Sequence, residues 1–228
     1  MKDNVVPKEK WEFDQNVTDC FDDMLKRSIP NYEMMRTLVE MIIKYHNPKK
    51  SDVLVDLGCS NGINIEPFID DLNCIGVDIS EPMLESARKK FNEKATILYH
   101  DITKNLDFFN NARFITSILT LQFTPIEYRQ EIFSNIYNKL EPNGVFILVE
   151  KELGYNSAIN KMFVDLYYKI KAKNGYSYDQ INRKKKSLEG VLVPVTSEWN
   201  KELLCQAGFK KIDTFWRCLN FEGIVAIK

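Results

Sequence analysis

The stretch Val53-Leu54-Val55-Asp56-Leu57-Gly58-Cys59-Ser60-Asn61-Gly62 decides how this chain is read. An apolar run ends at an acid, breaks into small residues and gives way to a helical pattern from Ile63. A strand that is apolar throughout is one covered on both faces, as in a parallel sheet. Gly58 and Gly62 let the backbone bend and approach a ligand where a Cβ would collide. The free amides of such a turn, and the helix start behind it, suit a polar or anionic group. Asp78 ends the next apolar run, Cys74-Ile75-Gly76-Val77, at about the 20-residue spacing of a ribose-binding acid. Together the two features point to a nucleoside site.

The 228 residues, with a 44% hydrophobic fraction, make room for one sizeable core. We read 1–228 as a single domain, with a helical segment over 1–50 and a helical insertion over 151–195. Thirty-one basic against 32 acidic residues give a net charge of −1, which argues against strong electrostatic binding to nucleic acid or an anionic membrane. The five cysteines are scattered, odd in number and without a C-x-x-C pair, so neither a disulfide scaffold nor a metal site is expected. The start, Met1-Lys2-Asp3-Asn4, lacks an apolar signal region, and no run reaches the roughly 18 apolar residues of a membrane span. The expectation is a cytoplasmic protein acting on small molecules, with no direct nucleic-acid binding and no membrane attachment.

Residues 1–10 read as a frayed polar lead-in. Helical spacing predicts one helix from about Phe13 to Lys26 and a second from Asn31 to Tyr45. Strands are expected at 53–57, 74–78, 96–100, 114–119 and 145–149, with helices near 63–71, from Ser80, and from Thr124 to about Leu140. Ser80 is a natural N-cap and Pro82 falls in the first turn, where its missing N–H costs nothing. This alternation predicts a parallel, doubly wound sheet. The 40-odd residues after Glu150 are too many for a plain crossover, and they contain two helical stretches, near 158–172 and 178–189. The run Arg183-Lys184-Lys185-Lys186 lies in them, over the predicted ligand mouth; it is either a solvated face or an anion site. A helix at 197–207, a Gly208 stop and two closely spaced, hence antiparallel, strands finish the chain.

Three acids, Asp56, Asp78 and Asp101, end three successive strands and would face one crevice. Asp78 suits the two ribose hydroxyls, Asp101 with Ile102 an adenine edge, and Asp56 either the glycine turn or a cationic group. The bland alternative is that these acids cap the following helices.

The pattern D-L-G-C-S-N-G at 56–62, then G-V-D-I-S-E-P-M-L at 76–84, an acid after the third strand and a closing hairpin resembles the class I S-adenosylmethionine-dependent methyltransferases. More narrowly, F-D-D-M-L-K-R-S-I-P-N-Y at 21–32, L-T-L-Q-F at 119–123, V-E-K at 149–151, N-G-Y-S at 174–177 and S-L-E-G-V-L at 187–192 resemble the bacterial carboxy-S-adenosyl-L-methionine synthases, which serve tRNA wobble-uridine modification. The resemblance implies a Rossmann-like α/β fold: a mostly parallel seven-stranded sheet whose last strand is antiparallel. It also implies a homodimer and a cofactor, S-adenosyl-L-methionine, held by Tyr32, Asp56, Gly58, Cys59, Ser60, Asp78, Ile79, Asp101, Ile102 and the position of Ile118. Two departures stand out. The arginine that holds the extra carboxylate in the synthases aligns with Lys185, and lysine is a point charge rather than a planar fork. An asparagine two residues before T-L-Q-F aligns with Ile118, which cannot hydrogen-bond. From these we expect an enzyme that transfers a methyl group to a small carboxylate-bearing metabolite held by Lys185 and Arg27. The alternatives are a carboxy-S-adenosyl-L-methionine synthase using prephenate, and a non-catalytic S-adenosylmethionine-binding protein. A nicotinamide oxidoreductase is more distant, because the glycine spacing is Gly58-x-x-x-Gly62 rather than G-x-G-x-x-G. A base is needed only if the acceptor must first lose a proton; the candidates are Glu150, Tyr167 and His100.

Overall fold

The computed structural model describes every residue except Val6 and Lys8. In chain order the elements are α1 (Gln15–Asp19), α2 (Phe21–Ser28), α3 (Tyr32–Tyr45), β1 (Val53–Leu57), β2 (Asn73–Asp78), α4 (Glu81–Phe91), β3 (Ala95–Tyr99), β4 (Ala112–Ile118), α5 (Arg129–Lys139), β5 (Leu140–Leu153), α6 (Ser157–Lys173), α7 (Tyr178–Ser187), β6 (Val195–Thr196), α8 (Ser197–Ala207), β7 (Lys211–Cys218) and β8 (Phe221–Ile227). Strand order is β3-β2-β1-β4-β5-β8-β7, with two-residue β6 beside the end of β5. Neighbours run parallel as far as β5, and β8 is antiparallel to both β5 and β7. This is the expected mostly parallel sheet with an antiparallel last strand.

Alternation along each strand divides the core between two faces. Leu54, Phe114, Val145 and Ile147 pack with Met35, Val39 and Ile43 of α3 and with Leu84 and Ala87 of α4. Val55, Leu57, Ile115, Phe146 and Leu148 face the other way, against Ile132, Phe133 and Ile136 of α5 and Leu203 and Leu204 of α8. Truncating a core aromatic such as Phe146, which is fully buried, would cost about 3–5 kcal/mol. The strand order reverses between β1 and β4, and a ligand crevice opens beyond the carboxyl ends of strands at such a point.

α4 begins as its sequence dictates: the Ser80 side chain accepts from the Met83 amide, Pro82 sits in the first turn, and Arg88, Lys89 and Lys90 sit at the C-terminal end of the dipole. Three expectations fail for identifiable reasons. The helix expected near 63–71 is only a 3-10 turn, Glu66–Phe68. Pro67 has no N–H to offer Ile63, and the Ile63 carbonyl instead accepts from Arg36 Nη2 at 2.7 Å. The helix expected over 13–26 breaks at Cys20 (φ −123°), so that α1 and α2 bring Val17, Phe21 and Met24 against Trp11. The lead-in is not frayed where it is described: Asp3 is fully buried. Its carboxylate accepts from the Tyr176 hydroxyl and, at 3.3 Å, from Lys184 Nζ, both in the insertion. Val6 and Lys8 of that lead-in lie outside the described residues.

Candidate functional site

The turn after β1 is built by three constraints. Gly58 (φ +81°) and Cys59 both donate to the Val77 carbonyl at 2.8 Å, tying the turn to β2. A Cβ on Gly58 would stand 2.2 Å from Thr120 Cγ2, so the turn and the end of β4 touch through the space glycine leaves. Ser60 (φ +49°) then aims its amide at Asp78 Oδ2, 2.9 Å away. Across the turn, Leu119 at the end of β4 also adopts a left-handed conformation (φ +59°), held by its amide's 2.6 Å bond to the Val149 carbonyl.

These segments wall a cavity of about 500 Å³, within the roughly 300–1,000 Å³ usual for small-ligand sites. Of the nominated residues, Tyr32, Gly58, Cys59, Ser60, Asp78, Ile79, Asp101, Ile102 and Ile118 line it, as do His100 and Tyr167. Asp78 Oδ1 accepts from the Ile79 and Ser80 amides at 2.8 and 2.9 Å. Its Oδ2 holds only Ser60, which leaves lone-pair capacity for a ligand hydroxyl. Burial pushes the Asp78 carboxyl above the ordinary range, against the pull of those three amides. Asp101 uses Oδ1 for the Thr103 amide (2.9 Å) and hydroxyl (2.7 Å), leaving Oδ2 for a donor such as an exocyclic amine. Burial works to raise it, but the Thr103 bonds and nearby Lys104 prevail and hold it low. A free acceptor on each acid, with Ile79 and Ile102 as apolar neighbours, fits an adenosyl group.

Four nominated residues do not line the cavity. Asp56 is fully buried beneath it; burial takes its carboxyl up to about 6, and Thr116 Oγ1 donates to it at 2.7 Å. It braces the turn from below. Glu150 lies under the floor, where Oε1 accepts the Leu121 amide at 3.1 Å; burial pushes it up to about 8 despite the charge of buried Arg129. Arg27 is a structural clamp, donating to the Asn174 carbonyl (2.8 Å) and the Asp3 carbonyl (2.9 Å) and stacking on Tyr176. Lys185 is exposed on the outer side of α7. His100 bonds through Nε2 to the Asn105 carbonyl at 2.7 Å and rests against Phe108.

Among the described residues, the cations that do reach the cavity are Lys104, Lys151, Lys171 and Lys184. Lys184 belongs to the run 183–186 that the sequence offers as an anion site, although Lys185 was the residue singled out; Lys151 and Lys171 were missed, yet signals for Lys171 and for the inward turn of Lys184 were present. Lys171 follows the nominated Tyr167 by four residues, hence on the same helical face. Ile181, Lys184 and Leu188 recur at helical spacing, which turns Lys184 inward and Lys185 out. Trp11 and Phe13 close the cavity from the N-terminal side, Phe13 meeting Phe123 edge-on at 5.3 Å.

Comparisons with known proteins give the family and the fold. A family model described as a methyltransferase domain matches residues 54–144. A carboxy-S-adenosyl-L-methionine synthase from Methylococcus capsulatus is 38% identical, covering 96% of this chain and 94% of that one. The protein of the same name from Campylobacter lari is 36% identical over 100% of both. Among solved structures, the CurJ carbon methyltransferase superposes with a TM-score of 0.66 at 19% identity, over 93% of this chain and 60% of that one. Human N-acetylserotonin methyltransferase in complex with S-adenosylmethionine gives 0.59 at 14% identity, over 94% and 55%. With a glycine turn at β1, acids ending β2 and following β3, and this identity over nearly its full length, the chain is a S-adenosylmethionine-dependent transferase that belongs to the carboxy-S-adenosyl-L-methionine synthase family.

Proposed function

We propose that this chain makes carboxy-S-adenosyl-L-methionine: prephenate loses its ring carboxyl as CO2 and its ring hydroxyl as hydroxide, leaving phenylpyruvate, while the sulfonium methyl of S-adenosylmethionine gives a proton to that hydroxide, forming water, and its carbon bonds the CO2. The observation that carries the reading is the cationic end of the cavity. Methyl transfer was expected because Lys185 stands where an arginine would hold the extra carboxylate. Lys185 is exposed in this chain, while Lys151, Lys171 and Lys184 line the cavity, so cationic groups are present without it. In this reading Asp78 and Asp101 hold the ribose and adenine, Gly58 to Ser60 pass close beneath the methionine part, and Tyr32 and Ile118 form apolar walls. The chain's contribution is alignment and exclusion of water; Trp11, Phe13 and Phe123 serve the second purpose. Glu150 sits below the floor, which leaves Tyr167 and His100 as the nominated groups that could meet a substrate proton.

The apolar Ile118, 7% exposed and offering no hydrogen bond, favours a second reading: methyl transfer to a small carboxylate-bearing acceptor. Mass spectrometry after incubation with S-adenosylmethionine and prephenate separates the two. A cofactor product heavier by one CO2 is expected, a carboxyl group standing in place of a methyl hydrogen. Recovery of S-adenosylmethionine unchanged, with a methylated acceptor and S-adenosylhomocysteine formed from a candidate metabolite pool, would replace the first reading by the second. We further propose a homodimer, since α6 exposes Ile159, Met162 and Leu166 at helical spacing; sedimentation measures it. The five free cysteines accord with a reducing, cytoplasmic setting, and among the described residues no helix is long and apolar enough to cross a membrane.

A further inference from the structure

Three lysines from three elements reach one end of the cavity: Lys151 from β5, Lys171 from α6 and Lys184 from α7. Their partners are unequal. Lys184 has the Asp3 carboxylate at 3.3 Å. Lys171 is 4% exposed, and among the described residues its Nζ makes no hydrogen bond or ion pair. It faces aromatic rings instead, 5.0 Å from the Tyr176 centroid and 5.6 Å from that of Tyr167; Lys151 Nζ stands 4.9 Å from the Tyr167 centroid. The charged groups acting on Lys171 are Lys184, Lys151 and Arg27, all cationic, and Asp3, whose carboxylate is already shared by Lys184 and Tyr176. A buried ammonium without an anion is costly, and rings offset only part of that cost. The acid-lined end, from β2 and the loop after β3, is at the opposite side of the strand order from β5.

We propose that Lys171, together with Lys151, is the recognition site for a carboxylate of the small-molecule cosubstrate. The proposal deepens the function given above and rests on its placing of the adenosyl group at the Asp78 end. Two consequences separate this role from a structural one. First, burial depresses Lys171 to about 7 and Lys151 to about 8, so near neutral pH the empty site is partly deprotonated. An anion favours the ammonium form, so binding takes up protons and weakens as pH rises through that range. Second, among the described residues Lys171 has no partner to lose, so Lys171→Met removes an unpaired charge and leaves the unliganded fold as stable or more so.

The test is calorimetry on the full chain loaded with S-adenosylhomocysteine, titrated with prephenate and, independently of the cosubstrate's identity, with malonate. Experiments at pH 8 in two buffers of different ionisation enthalpy count the protons taken up. Wild type is expected to bind at least one of the anions with proton uptake. Lys171→Met should bind S-adenosylhomocysteine as wild type does, bind the anion at least tenfold more weakly and take up fewer protons, while Lys171→Arg restores affinity. Equal anion affinity in Lys171→Met, a lower unliganded melting temperature, or parallel loss of S-adenosylhomocysteine binding would each overturn the proposal. The last would assign the lysine to the cofactor's own carboxylate. If wild type binds S-adenosylhomocysteine but neither anion, the recognition site falls and the cofactor reading stands. If wild type does not bind S-adenosylhomocysteine, the functional reading itself falls.

Discussion

At Gly58 one hydrogen atom separates a workable turn from a blocked one. Alanine there would adopt a left-handed conformation at a cost of about 1–2 kcal/mol, and its methyl would fall 2.2 Å from Thr120 Cγ2. Gly58→Ala should therefore lower the melting temperature and weaken S-adenosylhomocysteine binding. Adding Thr120→Ala should recover the part due to the collision and leave the backbone part, which a double-mutant cycle resolves. Asp78 makes a different prediction. Asparagine keeps one acceptor and turns the other toward the Ser60 amide as a donor, so Asp78→Asn should weaken cofactor binding tenfold or more by calorimetry, equivalent to at least about 1.4 kcal/mol. Its carboxyl is raised by burial, and a ligand hydroxyl donates best to the ionised form. Wild-type affinity should accordingly fall as pH is lowered through the raised value, and the variant's should not.

At the scale of elements, β5 and β8 bury two carboxyl groups side by side, Glu152 and Glu222, 2% and 1% exposed. As carboxylates, both oxygens of Glu152 and Oε2 of Glu222 lack a partner among the described residues, and a proton on Glu152 supplies one. Burial and the Glu222 charge push Glu152 well above the ordinary range. Burial acts on Glu222 in the same sense, but the Glu152 bond, Ser197, Thr214 and Lys201 hold it low. A carboxyl raised on folding contributes stability that is complete below its unfolded pKa and is lost as pH rises through the folded value. The lowered Glu222 acts only on the acid side. Between mildly acidic and neutral pH, then, Glu152→Gln should gain on wild type by up to about 1.4 kcal/mol per pH unit, measured by urea unfolding at several pH values. Strands β1 and β2 were legible from the sequence because apolar runs ending in acids announce buried parallel strands, whereas Glu152 lies beyond the strand expected at 145–149. The α4 cap was legible too, because Ser80 and Pro82 act locally. The 3-10 turn at Glu66–Phe68 was legible in principle from Pro67. What stayed hidden depends on distant partners: the seating of Lys184 over the Trp11 ring and beside Asp3, and the aromatic rings of Tyr167 and Tyr176 that face Lys171.

For the whole molecule, the N-terminal segment and the insertion are clasped by groups 173 and 181 residues apart, Asp3 with Tyr176 and Lys184, and sequence patterning carries no trace of such a contact. The Trp11 amide adds a 2.9 Å bond to the Ser187 carbonyl, so α7 is closed over the cavity by chain from the opposite end. Breaking one side of a buried ion pair strands the other, at about 3–5 kcal/mol. Asp3→Asn should lose about that much stability near neutral pH and raise hydrogen exchange in α6 and α7. The sign with pH follows from both partners. Burial works to raise the Asp3 carboxyl, but Lys184, Tyr176 and the Val5 amide outweigh it and hold it below the ordinary value. Its contribution is therefore present above the ordinary aspartate range and is lost as pH falls through the lowered one. Burial lowers Lys184 against the pull of Asp3, so on the alkaline side the ammonium is lost from the folded state before it is lost from the unfolded chain, and the pair goes with it. The stability difference between wild type and Asp3→Asn should thus be greatest in the middle of the pH range and shrink toward both ends. A difference that stays constant with pH would mean that the clasp works through packing, and the ion pair would then have no part in closing the cavity.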